Sequence, residues 1–147
     1  MDYNLVREVR FFSGEVYKDI TNVSQGIVMA DKEKKMDHWE IYSVYVISAI
    51  ITCLAFRSIL CSPDHIPEVK ISELKAKLEQ PADKIKEFIL MSAISIPLSA
   101  YLSKDEYEKI DEAIKNFLKA QPKESESIVK SANKYLDWFI SDYNITL

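Results

Sequence analysis

The stretch Ile41 to Phe56, IYSVYVISAIITCLAF, decides the fold. It runs sixteen residues without a charge, between Glu40 and Arg57. As a helix rising ~1.5 Å per residue it would be about 24 Å long. That falls short of the ~30 Å hydrocarbon core of a bilayer. Tyr, Val and Ile over 41–47 also suit a strand, but strands rarely pass about ten residues. A helix that is apolar on every side belongs inside something. The stretch is therefore expected to be a central helix that other helices wrap. Its small residues Ser48, Ala49, Thr52 and Ala55 would let those neighbours approach closely. The hydroxyls can bond back to carbonyls one turn earlier, so their burial need not leave polar groups unpaired.

The rest of the chain suits that core. Its 147 residues fit one domain, 1–147, and 48% hydrophobic content is enough to bury it. Glycine is scarce, at two residues. All-β folds depend on glycine-bearing turns, so the scarcity favours helices on short connections. The expected class is all-α, a single-domain bundle of about five to six helices around the central one. A net charge of −4 excludes a globally basic nucleic-acid binder but not a local basic patch. The charged start MDYNLVREVR carries no secretory h-region. A cytoplasmic protein without a membrane partner is expected, with Cys53 and Cys61 reduced in the core. Eight residues apart on one helix, the two thiols would be about 12 Å apart along the axis, too far for a disulfide.

Outward from the centre, Asp37 and Glu40 form a capping box that starts the central helix, and Trp39 is expected to enter the core. Upstream, Leu5, Val9, Phe12, Val16, Ile20, Val23 and Ile27 recur at helical steps, predicting one helix from 3 to about 29. On its outer face Arg7, Arg10, Gly14 and Lys18 would form a basic stripe beside a bare glycine. Such a stripe could meet a phosphate backbone; balanced by Glu8, Glu15 and Asp19, it could equally be a solvated face. Residues 31–37, DKEKKMD, read as a charged connection. Downstream, the loop Ser62 to Pro67 holds two prolines. A short helix is expected over 72–79 and another over about 81–102, kinked or broken at Pro97. Ser103 with Glu106 makes a capping box for the next helix, with Tyr107, Ile110, Ile114, Phe117 and Leu118 inward. The last helix spans about Lys123 to Tyr143.

Little in the chain reads as chemistry. The nitrogen and sulfur ligands are His38, His65, Cys53 and Cys61, and a structural zinc would need all four in one tetrahedron. No metal and no cofactor is expected. Arg57 and His65 have seven residues between them, which misses the Arg and His spacing of helical HEPN ribonucleases. Arg57 is instead expected at the C-terminal end of the central helix, favoured by its dipole. The carboxylate pairs Asp105/Glu106 and Glu124/Glu126 sit at helix starts and need no catalytic role. The chain reads as a non-enzyme.

Val44 to Phe56, VYVISAIITCLAF, resembles the central helix of the small subunit of type III-B CRISPR RNA-guided effector (Cmr) complexes. That family shows aliphatics followed by a motif like NGLxQTLAF, and Thr52 or Cys53 with Leu54-Ala55-Phe56 fall in its register. SANKYLDWF, Ser131 to Phe139, is similar to the family's closing helix, and SGEVYKDI, Ser13 to Ile20, loosely to its opening one. The chain departs from the pattern where Ser48-Ala49-Ile50 replace Asn-Gly and where Ile140, Ser141 and Asp142 replace the basic residues after the closing Trp. The resemblance implies a non-catalytic scaffold. Copies of itself would stack along the guide and target RNA, touching the RNA backbone and the large and backbone subunits of the complex. Outward phase on the first, central and last helices, not a family motif, selects Arg7, Arg10, Lys18, Arg57, Lys130 and Lys134 as candidate RNA-backbone contacts. The competing expectations are a helical protein–protein module, such as a viral inhibitor or adaptor without RNA binding, and a small helical nuclease using Arg57 and His65.

Overall fold

The computed structural model describes residues 3–28 and 35–147. Among them are seven helices: α1 (Val16–Val28), α2 (His38–Cys61), α3 (Ile71–Leu78), α4 (Ala82–Ser95), α5 (Leu98–Tyr101), α6 (Lys104–Leu118) and α7 (Pro122–Asp142). The fold is an all-α bundle, and α2 is its axis. Neighbours α1, α3, α4, α6 and α7 all pack on it. Every residue from Ser43 to Phe56 is buried except Tyr45 and Leu54, which are half-buried. This helix is long and apolar enough to cross a membrane, but two thirds of its most apolar window is covered by the rest of the chain. Burial of its hydroxyls is compensated as the sequence suggests at Thr52, whose Oγ1 donates to the Ser48 carbonyl at 2.7 Å. Ser48 Oγ reaches across to Ser24 Oγ of α1 at 2.8 Å, and Ser24 donates on to the Ile20 carbonyl.

The helix boundaries follow local chemistry. Asp37 accepts from the Glu40 amide at 2.8 Å while the Glu40 carboxylate takes the Asp37 amide, completing the expected capping box. Ser103 caps α6 through the Glu106 amide. Proline at position 97 splits the expected 81–102 helix into α4 and the single turn α5, which raises the count to seven. Pro122 occupies the first turn of α7, where its missing N–H costs nothing. In the helical bundle the expectations for the core fail at Trp39, 40% exposed, at Tyr107, exposed, and at Cys61, exposed at the end of α2. Cys53 is buried, and desolvation pushes its thiol up to about 11.

The largest correction concerns the N-terminal segment. Only Val16–Val28 is helical; residues 3–14 form turns. Asn4 provides a competing set of bonds. Its Oδ1 accepts from Val6 N–H and Val69 N–H, and its Nδ2 donates to the Pro67 carbonyl. Leu5 N–H donates to the Val69 carbonyl at 2.8 Å and Ile71 N–H to the Tyr3 carbonyl at 3.0 Å, closing a short antiparallel bridge. Phe12 and Gly14 then take positive φ, 63° and 82°, which no right-handed helix accommodates. Leu5, Val6 and Val9 are still buried, so the apolar spacing reported burial but not conformation. Phe12, expected inside, is 64% exposed. The charged connection expected over 31–37 lies mostly outside the described residues.

Glu106 and Glu126 act across helices. Glu106 is buried, and its Oε2 accepts from the Val16 amide at 2.7 Å and the Tyr17 amide at 3.3 Å, so α6 caps the start of α1. Glu126 Oε1 accepts from the Ala82 amide at 2.8 Å, so α7 caps the start of α4. These first-turn amides have no partner within their own helix, and a carboxylate satisfies them and the dipole together. Glu106→Ala should leave the α1 amides unpaired in a buried setting and cost about 1–3 kcal/mol. Thermal unfolding checks this: a melting temperature that falls by several degrees is expected, with a smaller fall for Glu106→Gln.

Candidate functional site

A cleft of about 950 Å³ lies between α1, α7 and the N-terminal segment. Helix α1 contributes Asn22, Val23, Gly26, Ile27 and Val28. From α7 come Tyr135, Trp138, Phe139 and Asp142. Tyr3, Asn4, Leu5, Arg7 and Glu8 form the third wall, and Tyr143 and Ile145 close the end. Five of these side chains are aromatic, and four of them pair: Tyr135 lies edge-on to Trp138 at 5.8 Å and Phe139 packs on Tyr143 at 4.7 Å. Trp138 is 53% and Tyr143 68% exposed. Burial of large rings is worth kilocalories, so such side chains left in solvent at a concave site suit a binding surface. Trp138 borders this cleft and not the core.

Each walling element is fixed by specific contacts. Glu106 sets the start of α1. Lys75 of α3 pairs with Asp137 of α7 at 2.6 Å, on a different face of α7 from the aromatic ladder Tyr135–Phe139. His38 Nε2 lies 3.1 Å from Glu124 Oε1, joining the starts of α2 and α7. The Asn4 clamp holds Tyr3 and Leu5 against α3. Burial raises the Tyr135 phenol above its usual range, helped by the nearby Glu40 and Asp37.

The six cations proposed from sequence fall in separate neighbourhoods. Arg7 lines the cleft. Lys134 borders it, its Nζ 4.6 Å from the centre of the Trp138 ring, with Lys130 exposed one turn earlier. Lys18 sits in a shallow groove between α1 and α6 with Asp105 and Lys109, themselves paired at 3.0 Å. Arg57 does not cap the end of α2; its guanidinium stands 5.3 Å from the centre of the Phe88 ring, which Lys77 also covers at 4.0 Å. His65 is exposed in the loop after α2, its N–H donating to the Ser62 carbonyl. Arg10 is already engaged. Its Nε and one terminal nitrogen hold both oxygens of Asp19 at 3.0 Å, and its backbone N–H adds a third bond at 2.9 Å. The basic stripe expected from Arg7 to Lys18 therefore does not exist, because the segment carrying its first half is not a helix. Among the described residues no group of three or more His, Cys, Asp or Glu is placed to hold a metal ion.

No protein-family model, no curated protein and no solved structure matches the chain.

The Arg10–Asp19 pair has a pH consequence. Hydrogen bonding to the Arg10 guanidinium holds the Asp19 carboxyl below its usual 3.8. A carboxylate depressed in the folded state stabilises the fold above its unfolded pKa, and that contribution fades as pH falls through the folded one. Asp19→Asn should lower the melting temperature by a few degrees at neutral pH. The gap to wild type should narrow below about pH 3.8. Melting curves across pH 2–7 check it.

Proposed function

We propose that the protein is a non-catalytic helical interaction module that docks a partner protein in the cleft between α1 and α7. The observation that supports this reading most is the concentration of exposed aromatic side chains, Trp138 and Tyr143 above all, in one concave site. Tyr, Trp and Arg in a cleft of this kind are the residue types that carry most binding energy at protein interfaces. The other candidate chemistry is dispersed: Arg57 lies against the Phe88 ring, His65 is exposed in the loop after α2, and Cys53 is enclosed in the core.

One observation favours a second reading, the small subunit of an RNA-guided effector complex. Lys130, Lys134 and Trp138 stand at successive turns of α7, within or beside the segment that resembles the family's closing helix. Cations interleaved with an exposed ring suit an RNA backbone and a stacked base.

Purification of the tagged protein from its own cells, with identification of co-purifying protein and RNA, separates the two. The first reading predicts a defined protein partner that survives ribonuclease and is lost on Trp138→Ala. Recovery of RNA, released by salt and lost on Lys130→Glu with Lys134→Glu, would replace it with the second. Recovery of neither would overturn both.

A further inference from the structure

We infer that the outer face of α4 joins two copies of this chain across a two-fold axis. From Phe88 to Ser103, FILMSAISIPLSAYLS, the chain again runs sixteen residues without a charge, between Glu87 and Lys104. The equal run in α2 is enclosed, but this one is covered on one side only. Ile85, Ile89 and Ser92 are buried and form the inner stripe of α4, toward α2 and α7. Outward on the last two turns stand Leu90 and Met91, each about half exposed, and Ile94, 79% exposed. The three are neighbours on the helix surface, at i, i+1 and i+4. They form one apolar ridge, and a contiguous exposed apolar surface marks an interaction site.

Shape and charge both select a second copy as the occupant. A two-fold contact needs a projection and a recess on one surface, because each copy presents the same patch to the other. Beside the ridge lies a hollow of about 210 Å³ whose lining includes Ile94, Pro97, Leu98, Tyr107 and Ile110. Ile94 at its lip is the projection. With the axis beside this residue, Ile94 of each copy enters the hollow of the other, and the exposed Tyr107 is covered in the pair. Asp111 is the one charged residue in the described lining, and Lys115 holds it at 2.7 Å. A chain of net charge −4 carries a net repulsion against its own copies. The α4 face is where two copies meet without setting like charges against each other, whereas an acidic or basic partner gains nothing from it. A standard interface covers about 800 Å² on each partner. Ala93, Ser95, Ser99 and Ala100, exposed and neutral, extend the contact beyond the ridge and suit the margin of such an interface. The pair is closed and stops at two copies, unlike a head-to-tail stack.

Sedimentation equilibrium of the full chain tests this. At about 50 µM chain and about 0.15 M salt the wild type should approach twice its 17.0 kDa and go no higher. Ile94→Glu should raise the dissociation constant at least about tenfold. Its far-ultraviolet circular dichroism should be unchanged, because the side chain lies outside the core. Met91→Glu, on the same ridge, should act alike. Raising the salt should not dissociate the wild type, since no ion pair joins the copies. Trp138→Ala should leave the dimer intact, because the cleft between α1 and α7 is a separate surface and its docking role stands or falls independently. A wild type that stays at 17.0 kDa would overturn the inference, as would a mass that climbs past the dimer. A dimer that both ridge variants retain would overturn it too. So would a monomer that floats with phosphatidylcholine vesicles, which would give the face to a lipid surface.

Discussion

A helix with apolar residues on every side has to be covered on every side, and α2 imposes that requirement on the whole chain. From Ser43 to Phe56 it offers no polar face on which a neighbour could be omitted. Five helices therefore pack on it, and each spends its own apolar stripe doing so. Small residues on α2 set the spacing: Ala49 and Ala55 are fully enclosed, and Ser48 comes close enough to Ser24 for a hydroxyl–hydroxyl bond. Close-packed interiors tolerate few voids, so the position of α1 against α2 is fixed by these contacts. The cleft then forms where the coverage ends, between the outward sides of α1 and α7.

Carboxylates hold this arrangement at its ends. Helices α1 and α4 lack side-chain caps of their own; Glu106 and Glu126 supply them from α6 and α7. A cap delivered from another helix ties a local requirement, the unpaired first-turn amides, to tertiary docking. Neither helix start is satisfied until its neighbour is in place. For α1 this matters to the cleft as well, because the same helix that Glu106 anchors at Val16 presents Val23, Gly26 and Ile27 to the site ten residues on. The Arg10–Asp19 pair turns the chain immediately before α1 and leaves the Arg10 side chain 60% exposed.

Much of the architecture was legible in the sequence because its causes are local. The uncharged length of 41–56, the Asp37–Glu40 box, the Ser103 cap on the Glu106 amide, and the breaks at Pro97 and Pro122 each act within a few residues; the Glu106 carboxylate, expected to close a second box, caps α1 instead. The segment 3–14 was misread because its apolar residues recur at helical steps and are indeed buried, yet its conformation is set from sixty residues away by bonds to Pro67, Val69 and Ile71. The positive φ of Phe12 has no sequence signature; Gly14 two residues on was a weak one. The cleft was less legible still. Tyr3, Gly26 and Trp138 are far apart in the chain, and only packing brings them together. Two signals did exist: a glycine inside a helical pattern, and a tryptophan off the centre of an inward stripe. Choosing cations by outward phase found Arg7 and Lys134 at the rim but could not foresee that Arg10 pairs with Asp19 or that Arg57 lies against Phe88.

The organising role of α2 is open to one direct measurement, native-state hydrogen exchange in plain buffer without lipid or detergent. Amides from Val44 to Phe56 should form the slowest-exchanging class in the protein, opening only with global unfolding. Fast exchange in this stretch, or a fold that appears only when detergent is added, would contradict a helix enclosed by its own chain.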